Sequence, residues 1–554
     1  MEYDLLMRMI YRRACEMLME PLRRRSHRGE ALKFADGVTR TAYPGVNIES
    51  MDLEELAAWL AIFNSQALHP CPICLVHKRD LHRLTCTHQW TRRTADSMAE
   101  VIRQAPSTSR TARTEYLREF GLHYFQHFLW KFNNSDPYQA VGYDCLHYFD
   151  GGIWGRHVWP LLSDYLGNLR VAETFNSHLE QFPRWRDLKH IRGATAISYS
   201  EGQTWVDILK CALPCLVEIV PPKSIFVRLV RVMQKLRVML TLDVTTSTRL
   251  EHLENLIRDY EELCEETSEK HDKNFDFLKQ HMLPHAPDIF RAKGTSRNMN
   301  TRVGEGYQQE VSDLYQETNG KAAEHQIVIH DENEEAIARL KMRVDAWQRS
   351  QAEDTDELMD PVNLDSVPHW RLGAPDCHRV SPHRVEMDHT GNQIYRNFDF
   401  KLREYLARHY PRLLILICKA LYVSYQSCVN WGNERDILRC NAKFHGRPRF
   451  DSIIFEANDD ATAMGQLELV FRCFISGKGA VDLAMILPYQ ATSWQPRTRT
   501  DCPVRVKNKQ PIFVALEHVT RGALLSPIFG ASREAFYVID CIDGDMYLRL
   551  NAID

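Results

Sequence analysis

The sequence predicts an α+β protein: a large, mainly helical amino-terminal region followed by a carboxy-terminal β-rich domain, a small barrel or sandwich. Two apolar stripes of helical period point to the first part. Ile225, Phe226, Leu229, Val232, Met233 and Leu236 trace one face with basic residues opposite, and Leu250, Leu253, Leu256, Ile257 and Tyr260 trace another. Six short apolar runs after residue 450, separated by Gly-bearing turns, point to the second part. Between them, over 331–395, the chain turns acidic and Pro-containing and loses sustained periodicity after a helix through Ala336–Trp347, which reads as a linker.

The chain has 554 residues, room for several domains, and its 44% hydrophobic content is that of a globular protein. A net charge of −4 gives no global signature of a nucleic-acid partner, so any DNA-binding surface must be local. The clearest basic run is Arg23, Arg24, Arg25 and Arg28, with Arg447 and Arg449 weaker; such runs are more often solvated faces than phosphate contacts. Fifteen cysteines in so long a chain suggest a reducing compartment rather than a disulfide framework. The acidic Met-Glu-Tyr-Asp start is no signal peptide, and no stretch approaches the roughly 20 apolar residues of a membrane span. Leu413–Val423, broken by Lys419, reads as buried secondary structure.

In chain order, Leu53, Leu56, Trp59 and Leu60 recur at helical spacing, and Leu-His-Pro then breaks the pattern before Cys71. Thr248 with Glu251 fits a capping box opening the second helical stripe. The carboxy-terminal strands are expected at Ser452–Ala457, Leu467–Ser476, Val481–Tyr489, Pro511–Val519, Ala535–Ile542 and Met546–Ile553. Asp543-Gly544-Asp545 would be a hairpin turn between the last two, because Asp-Gly tolerates positive φ.

Three groups of residues carry potential chemistry. Cys71 and Cys74, two residues apart, can grip one Zn²⁺, with Cys86 and His88 available to close a tetrahedral site; an unligated turn is the alternative. His77 and His82 read as surface residues. Asp144 and His147 share one helical turn, so they can bind a metal or pair with each other. Glu305 ends a basic, Asn-containing stretch from Arg291 that could follow a phosphate backbone or simply be a solvated loop.

The order of these pieces, CPxC, then DxLH with an aromatic, Gly-rich continuation, then Asn-Thr-x-x-x-Glu, resembles the Plavaka transposases of basidiomycete fungi, distant relatives of the plant CACTA elements. Phe182–His190 resembles the family's PRWRDLKH stretch, and Asn274–His281 with Asn298–Thr301 resembles its N-F-x-F-x-K-x-H…N-x-N-T run. Phe471–Phe474 and Arg521–Leu525 add to the match. The resemblance implies a core of RNase H type in which three acids hold two Mg²⁺ or Mn²⁺ ions for in-line displacement at DNA phosphorus. It places Asp52 as the second acid and Glu305 as the third, with Glu310 a substitute; an N-cap role alone would also explain Asp52. Cys71 and Cys74 match the family's CxxC, and Asp144 and His147 its DxxH; His147 could instead join the zinc site.

The family's first acid lies on an upstream strand in an S-D-K-T-like segment, and nothing between Met1 and Glu49 looks like it; neither Asp4 nor Asp36 fits. The expectation is therefore an amino-terminally truncated, inactive or partner-dependent transposase. Its regions would be 1–110, a remnant of the RNase H-like core with the CxxC; 111–330, helical and carrying DxxH and the third acid; 331–395, linker; and 396–554, β-rich. Its partners would be DNA ends and target, in the nucleus, with self-association left open. A non-catalytic DNA- or chromatin-binding derivative is the alternative.

Overall fold

A computed structural model describes residues 2–63, 67–353, 368–375, 378–406, 410, 412–457, 462–494, 500–530 and 534–553, without side chains for 2–5 and 349–353. Two compact units result: Met1–Asn300 with Trp370–Asp554, and Thr301–His369.

The centre of the larger unit is helical. Leu146–Val158 forms a π-helix and runs directly into the helix Trp159–Asn168. Its wide turns accompany close contacts that only glycine allows. A Cβ on Gly155 would sit 2.9 Å from the Trp205 ring, and one on Gly152 would sit 2.5 Å from the His147 carbonyl. Trp154 donates to the Trp205 carbonyl across this contact at 3.0 Å. Gly202–Leu216, Ile225–Leu240 and Leu278–Met282 pack around it.

Ile225–Leu240 buries more than one stripe, since Val227 and Val230 are also enclosed, while Arg231 reaches inward to Asp540 at 2.7 Å. The helix Ser247–His271 starts one residue before Thr248, and Thr246, not Thr248, caps it by accepting from the Arg249 N–H. The described strands before residue 300 are one hairpin, Glu30–Lys33 with Thr39–Ala42. The RNase H-type sheet implied by the resemblance is not among them.

The β-rich part has two antiparallel sheets. One runs in the order Val519–Ala523, Ser452–Glu456, Thr462–Ile475, Gly479–Ala491, Val504–Lys507, Ala535–Val538, Leu525–Pro527. Leu413–Cys418 adds to Thr462–Ile475, and Ile512–Ala515 to Gly479–Ala491. The other sheet comprises Trp370–Leu372, Ala420–Gln426, Asn433–Phe444 and Arg447–Phe450. Leu421, Val423 and Leu438 of the second meet Ile453, Leu467 and Ile486 of the first in one apolar cluster, a sandwich-like layering. On the reverse of the long strands, Phe471 and Phe513 meet Phe398 of the helix Phe398–Tyr405. Thus the end of the expected linker, over 370–375 and 378–395, is folded into this region; residues 354–367 and 376–377 of that linker lie outside the described set.

Leu413–Val423 is two strands that change sheets at Lys419. The final expected strand is instead a helix, Gly544–Asn551: Asp543 is its N-cap, accepting from the Met546 N–H at 2.8 Å. Asp-Gly serves a helix start as readily as a hairpin, and the buried Met546, Tyr547 and Leu548 fit one helical face.

The smaller unit is a helical pair, Arg302–Glu317 and Ala323–Glu353, joined through Gly320 at φ +71°.

Candidate metal centre and adjoining pocket

Residues 67–94 have little regular structure, yet the CxxC loop is tightly held. Its agent is Arg93, 1% exposed, whose guanidinium donates to three carbonyls: Cys71 at 2.8 Å, Phe120 at 2.8 Å and His69 at 2.9 Å. The Ile73 N–H points at Cys71 Sγ (3.4 Å), the turn geometry that lets two thiols face one point. The Arg93 N–H binds the Ile73 carbonyl and the Leu75 N–H binds Thr91, closing the loop.

Two imidazoles complete the cluster. His281 lies on the helix Leu278–Met282 and His285 in the 3₁₀ turn Leu283–His285, four residues apart and so on one face. Cys71, Cys74, His281 and His285 are all fully buried, and their ligand atoms lie within 4.8 Å of one another. Cys74 Sγ is 3.2 Å from His281 Nε2 and 3.7 Å from His285 Nε2; Cys71 Sγ is 3.6 Å from His285 Nε2. A tetrahedral Zn²⁺ with ordinary Zn–S and Zn–N bonds sets S···N edges at about 3.6 Å. The donor set and its spacing therefore fit one zinc ion.

Cys71 and His285 are shifted toward their metal-binding forms, and Cys74 is not. Burial opposes the Cys71 thiolate, but the Cys74 thiol and the two imidazoles bring it well below its ordinary value. Hydrogen bonding to Cys71, together with burial, pushes Cys74 up. Burial lowers His285, keeping its ring neutral and able to donate a lone pair.

Cys86 and His88, expected to close the site, are not in this cluster. Cys86 precedes the short 3₁₀ turn Thr87–Gln89 that contains His88; Cys86 is half-buried and His88 exposed. His147 is not in it either: its Nδ1 is 2.6 Å from Asp144 Oδ2, the Asp–His pair that sequence allowed. Sequence reading missed His281 and His285 because their partners are more than 200 positions away; the i, i+4 histidine spacing was the available signal.

A cleft of about 400 Å³ adjoins the CxxC loop, lined by Pro70 and Pro72 from that loop and by Asp52, Glu54, His147, Arg156, His157 and Lys279. Asp52 caps the helix Leu53–Leu60, accepting from the Glu55 N–H at 2.8 Å. Asp144 is 1% exposed and accepts from both the N–H and the ring of His147. It orients the imidazole whose edge lines the cleft. His157 stacks on Phe277, centroids 3.5 Å apart, and burial with Lys273 and Lys279 nearby lowers it to about 4. Burial and Arg156 lower Lys279, against the pull of Asp52, Asp144 and Glu54. Glu305 and Glu310 belong to the smaller unit, both exposed on Arg302–Glu317.

Glu49 ties the Asp52 segment to the Asp144 segment through its backbone, donating to Ala140 and accepting from Gly142. Its side chain is 4% exposed, and neither oxygen has a hydrogen bond of normal geometry. Burial pushes its carboxyl up to about 8, only partly offset by Trp59 and Lys293. A folded pKa above the unfolded one stabilises at low pH, and the contribution is lost as pH rises through 8. Between pH 5 and 8.5, Glu49 should cost roughly 3–5 kcal/mol of stability. Denaturant midpoints at the two pH values should differ markedly less in Glu49→Gln, and an unchanged difference would place the titration elsewhere.

Comparison with known families is consistent with a protein of transposase type. Residues 2–162 match the family model described as Plavaka transposase. That segment carries Asp52, Cys71, Cys74, Asp144 and His147 and is consistent with a Plavaka-type transposase; His281 and His285 lie outside it. No curated protein matches the chain. Among the described residues, no helix is long and apolar enough to cross a membrane.

Proposed function

We propose that this chain is a transposase-derived nuclear protein that binds DNA along the cleft between Asp52 and Lys279 and does not turn over strand cleavage. On this reading, Cys71, Cys74, His281 and His285 hold one structural Zn²⁺ that fastens the CxxC loop to the Leu278–His285 segment. Residues 1–330 descend from an RNase H-type transposase core in which Asp52, Asp144 and Glu305 took part in holding Mg²⁺ or Mn²⁺. Lys279 and Arg156 meet the phosphate backbone, and the His157–Phe277 stack forms part of the wall. The observation that carries the non-catalytic reading is the engagement of Asp144: it is buried against His147, so Asp52 and Glu54 are the carboxylates that line the cleft. Two paired ions need more oxygen ligands than that.

Binding of duplex DNA should weaken linearly in log–log form with salt, by about 0.9 per phosphate contacted. Lys279→Glu with Arg156→Glu should weaken it about tenfold or more at 0.1 M salt. Salt-independent binding would contradict the backbone reading. Incubation with Mn²⁺ should leave the DNA intact. Nicking that appears with Mn²⁺ and disappears in Asp52→Asn, which keeps the helix cap, would overturn the non-catalytic reading and make Asp52 a metal ligand.

A further inference from the structure

The four-stranded sheet turns one face to the apolar core and the other to solvent. Leu421, Val423, Leu438 and Cys440 face inward, so alternation turns Tyr422, Arg435, Ile437 and Arg439 outward. Cross-strand pairing sets Arg371 beside Tyr422, Arg449 beside Asn441 and Arg447 beside Phe444. Arg447 and Arg449, a weak basic cluster in sequence, thus join three arginines from two other strands. Arg371, Arg435, Ile437 and Arg447 are exposed, and Tyr422, Arg439, Phe444 and Arg449 half-buried. In a chain of net charge −4, this one face gathers a run of guanidiniums.

Two aromatic rings hold most of them. The Arg371 and Arg435 guanidiniums lie 4.7 and 4.6 Å from the Tyr422 ring centroid. Those of Arg439 and Arg449 lie 5.3 and 5.1 Å from the Phe444 centroid. A guanidinium over a ring stays charged and keeps its N–H groups for another acceptor. Asp451 pairs with Arg449 at 2.9 Å and accepts the Arg439 backbone N–H. Among the described residues, no ion pair or side-chain hydrogen bond engages Arg371, Arg435, Arg439 or Arg447. Ile437, opposite Tyr422, and Phe444 share one strand and stand about 20 Å apart along it.

A ligand complementary to this face is a polyanion that also carries flat groups. A nucleic-acid strand has both: phosphates for the N–H groups, and bases that stack on rings and guanidinium planes. In a duplex the bases already stack on one another, so the rings would go unused. A bilayer needs exposed apolar side chains, and of these outward residues Ile437 is the exposed apolar one. We infer that this face of the β-rich region binds single-stranded DNA, separately from the cleft. The choice of DNA over RNA rests on the transposase-type reading; the single-strand assignment rests on the face itself.

Fluorescence anisotropy of the full chain with a labelled oligo(dT) of about 16 nucleotides tests it, beside a duplex of equal length. Arg435→Glu with Arg439→Glu should weaken oligo(dT) binding at least tenfold at 0.1 M salt and leave duplex binding unchanged. Arg156→Glu with Lys279→Glu should do the reverse, so failure of the cleft reading and failure of this one are separate results. Arg435→Lys with Arg439→Lys keeps the charge but not the planar fork, and should still weaken oligo(dT) about fivefold. Oligo(dT) binding that survives the charge reversal overturns the proposal, as does an equal loss of duplex binding in that variant. Full affinity in the lysine variant, or displacement of oligo(dT) by polyglutamate at equal charge, would reduce the face to an unselective basic patch and overturn it too. Oligo(rU) bound tenfold more tightly than oligo(dT) would overturn the choice of DNA.

Discussion

His281→Ala is expected to remove the single zinc bound per chain and to lower the thermal midpoint by about 4 °C or more. The effect is large because the four ligands are fully buried and join a poorly structured loop to a helical segment. Structural zinc contributes on the order of 10 kcal/mol to small metal-dependent folds. Here a large apolar core shares the load, so a loss of about 4 kcal/mol is a reasonable floor. Cys74→Ser should act likewise, whereas Cys86→Ser and His88→Ala should leave zinc content at its wild-type value. Metal analysis of purified protein checks all four variants. Zinc retained in His281→Ala, or lost in Cys86→Ser, would reject the assignment.

The second large effect is expected at Arg521. Its side chain is fully enclosed and pairs with Asp543 at 2.8 Å, with Asp545, and with Asp436 at 3.7 Å; Arg186 shares Asp436 and Asp543. Burial resists ionisation of Asp543 and Asp545, but Arg521 still holds both below the usual carboxylate range, with Arg549 helping at Asp545. Burial wins at Asp436, which is raised. Arg521→Ala leaves two enclosed carboxyls, Asp436 and Asp545, and the half-buried Asp543 with less compensation and should cost about 3–5 kcal/mol at pH 7.

The pH dependence follows from the two depressed groups. Their stabilisation is present above the unfolded carboxylate value and is lost as pH falls through the lower folded values. The gap between wild type and Arg521→Ala should therefore shrink below about pH 4. Denaturant midpoints at pH 7 and pH 3.5 measure it; an equal gap at both would mean that lost packing, not charge, sets the cost. Arg521→Met with Asp543→Asn should recover part of the loss.

The helical half was legible because its apolar residues repeat every three or four positions, a signal intrinsic to the segment. The strands at Ser452, Thr462 and Gly479 were legible as short apolar runs bounded by turn residues. The last helix was not: Asp543-Gly544 suits a turn and a cap alike, and Arg521, 22 residues earlier in the chain, helps to hold Asp543 in place. The metal centre was half legible. The CxxC spacing is local, but its partners come from a segment more than 200 residues on, and spacing favoured the nearer Cys86 and His88. Asp144 and His147 were correctly paired as neighbours, while the burial that makes Asp144 a support for the imidazole is tertiary information. The end of the expected linker was misjudged because Trp370–Leu372 is too short a strand to show a period, and it is defined by pairing with Leu421–Val423.

The separation of the metal ligands has a consequence for synthesis. Cys74 precedes His281 by 207 residues. At about 5–20 residues per second, the thiol pair leaves the ribosome roughly 10–40 s before the imidazoles that enclose it. During that interval Cys71 and Cys74 are an exposed vicinal dithiol, open to oxidation or to capture by a stray soft metal. On the zinc reading, maturation rests on reducing conditions and on a zinc supply that exchanges freely until the late segment arrives and seals the loop.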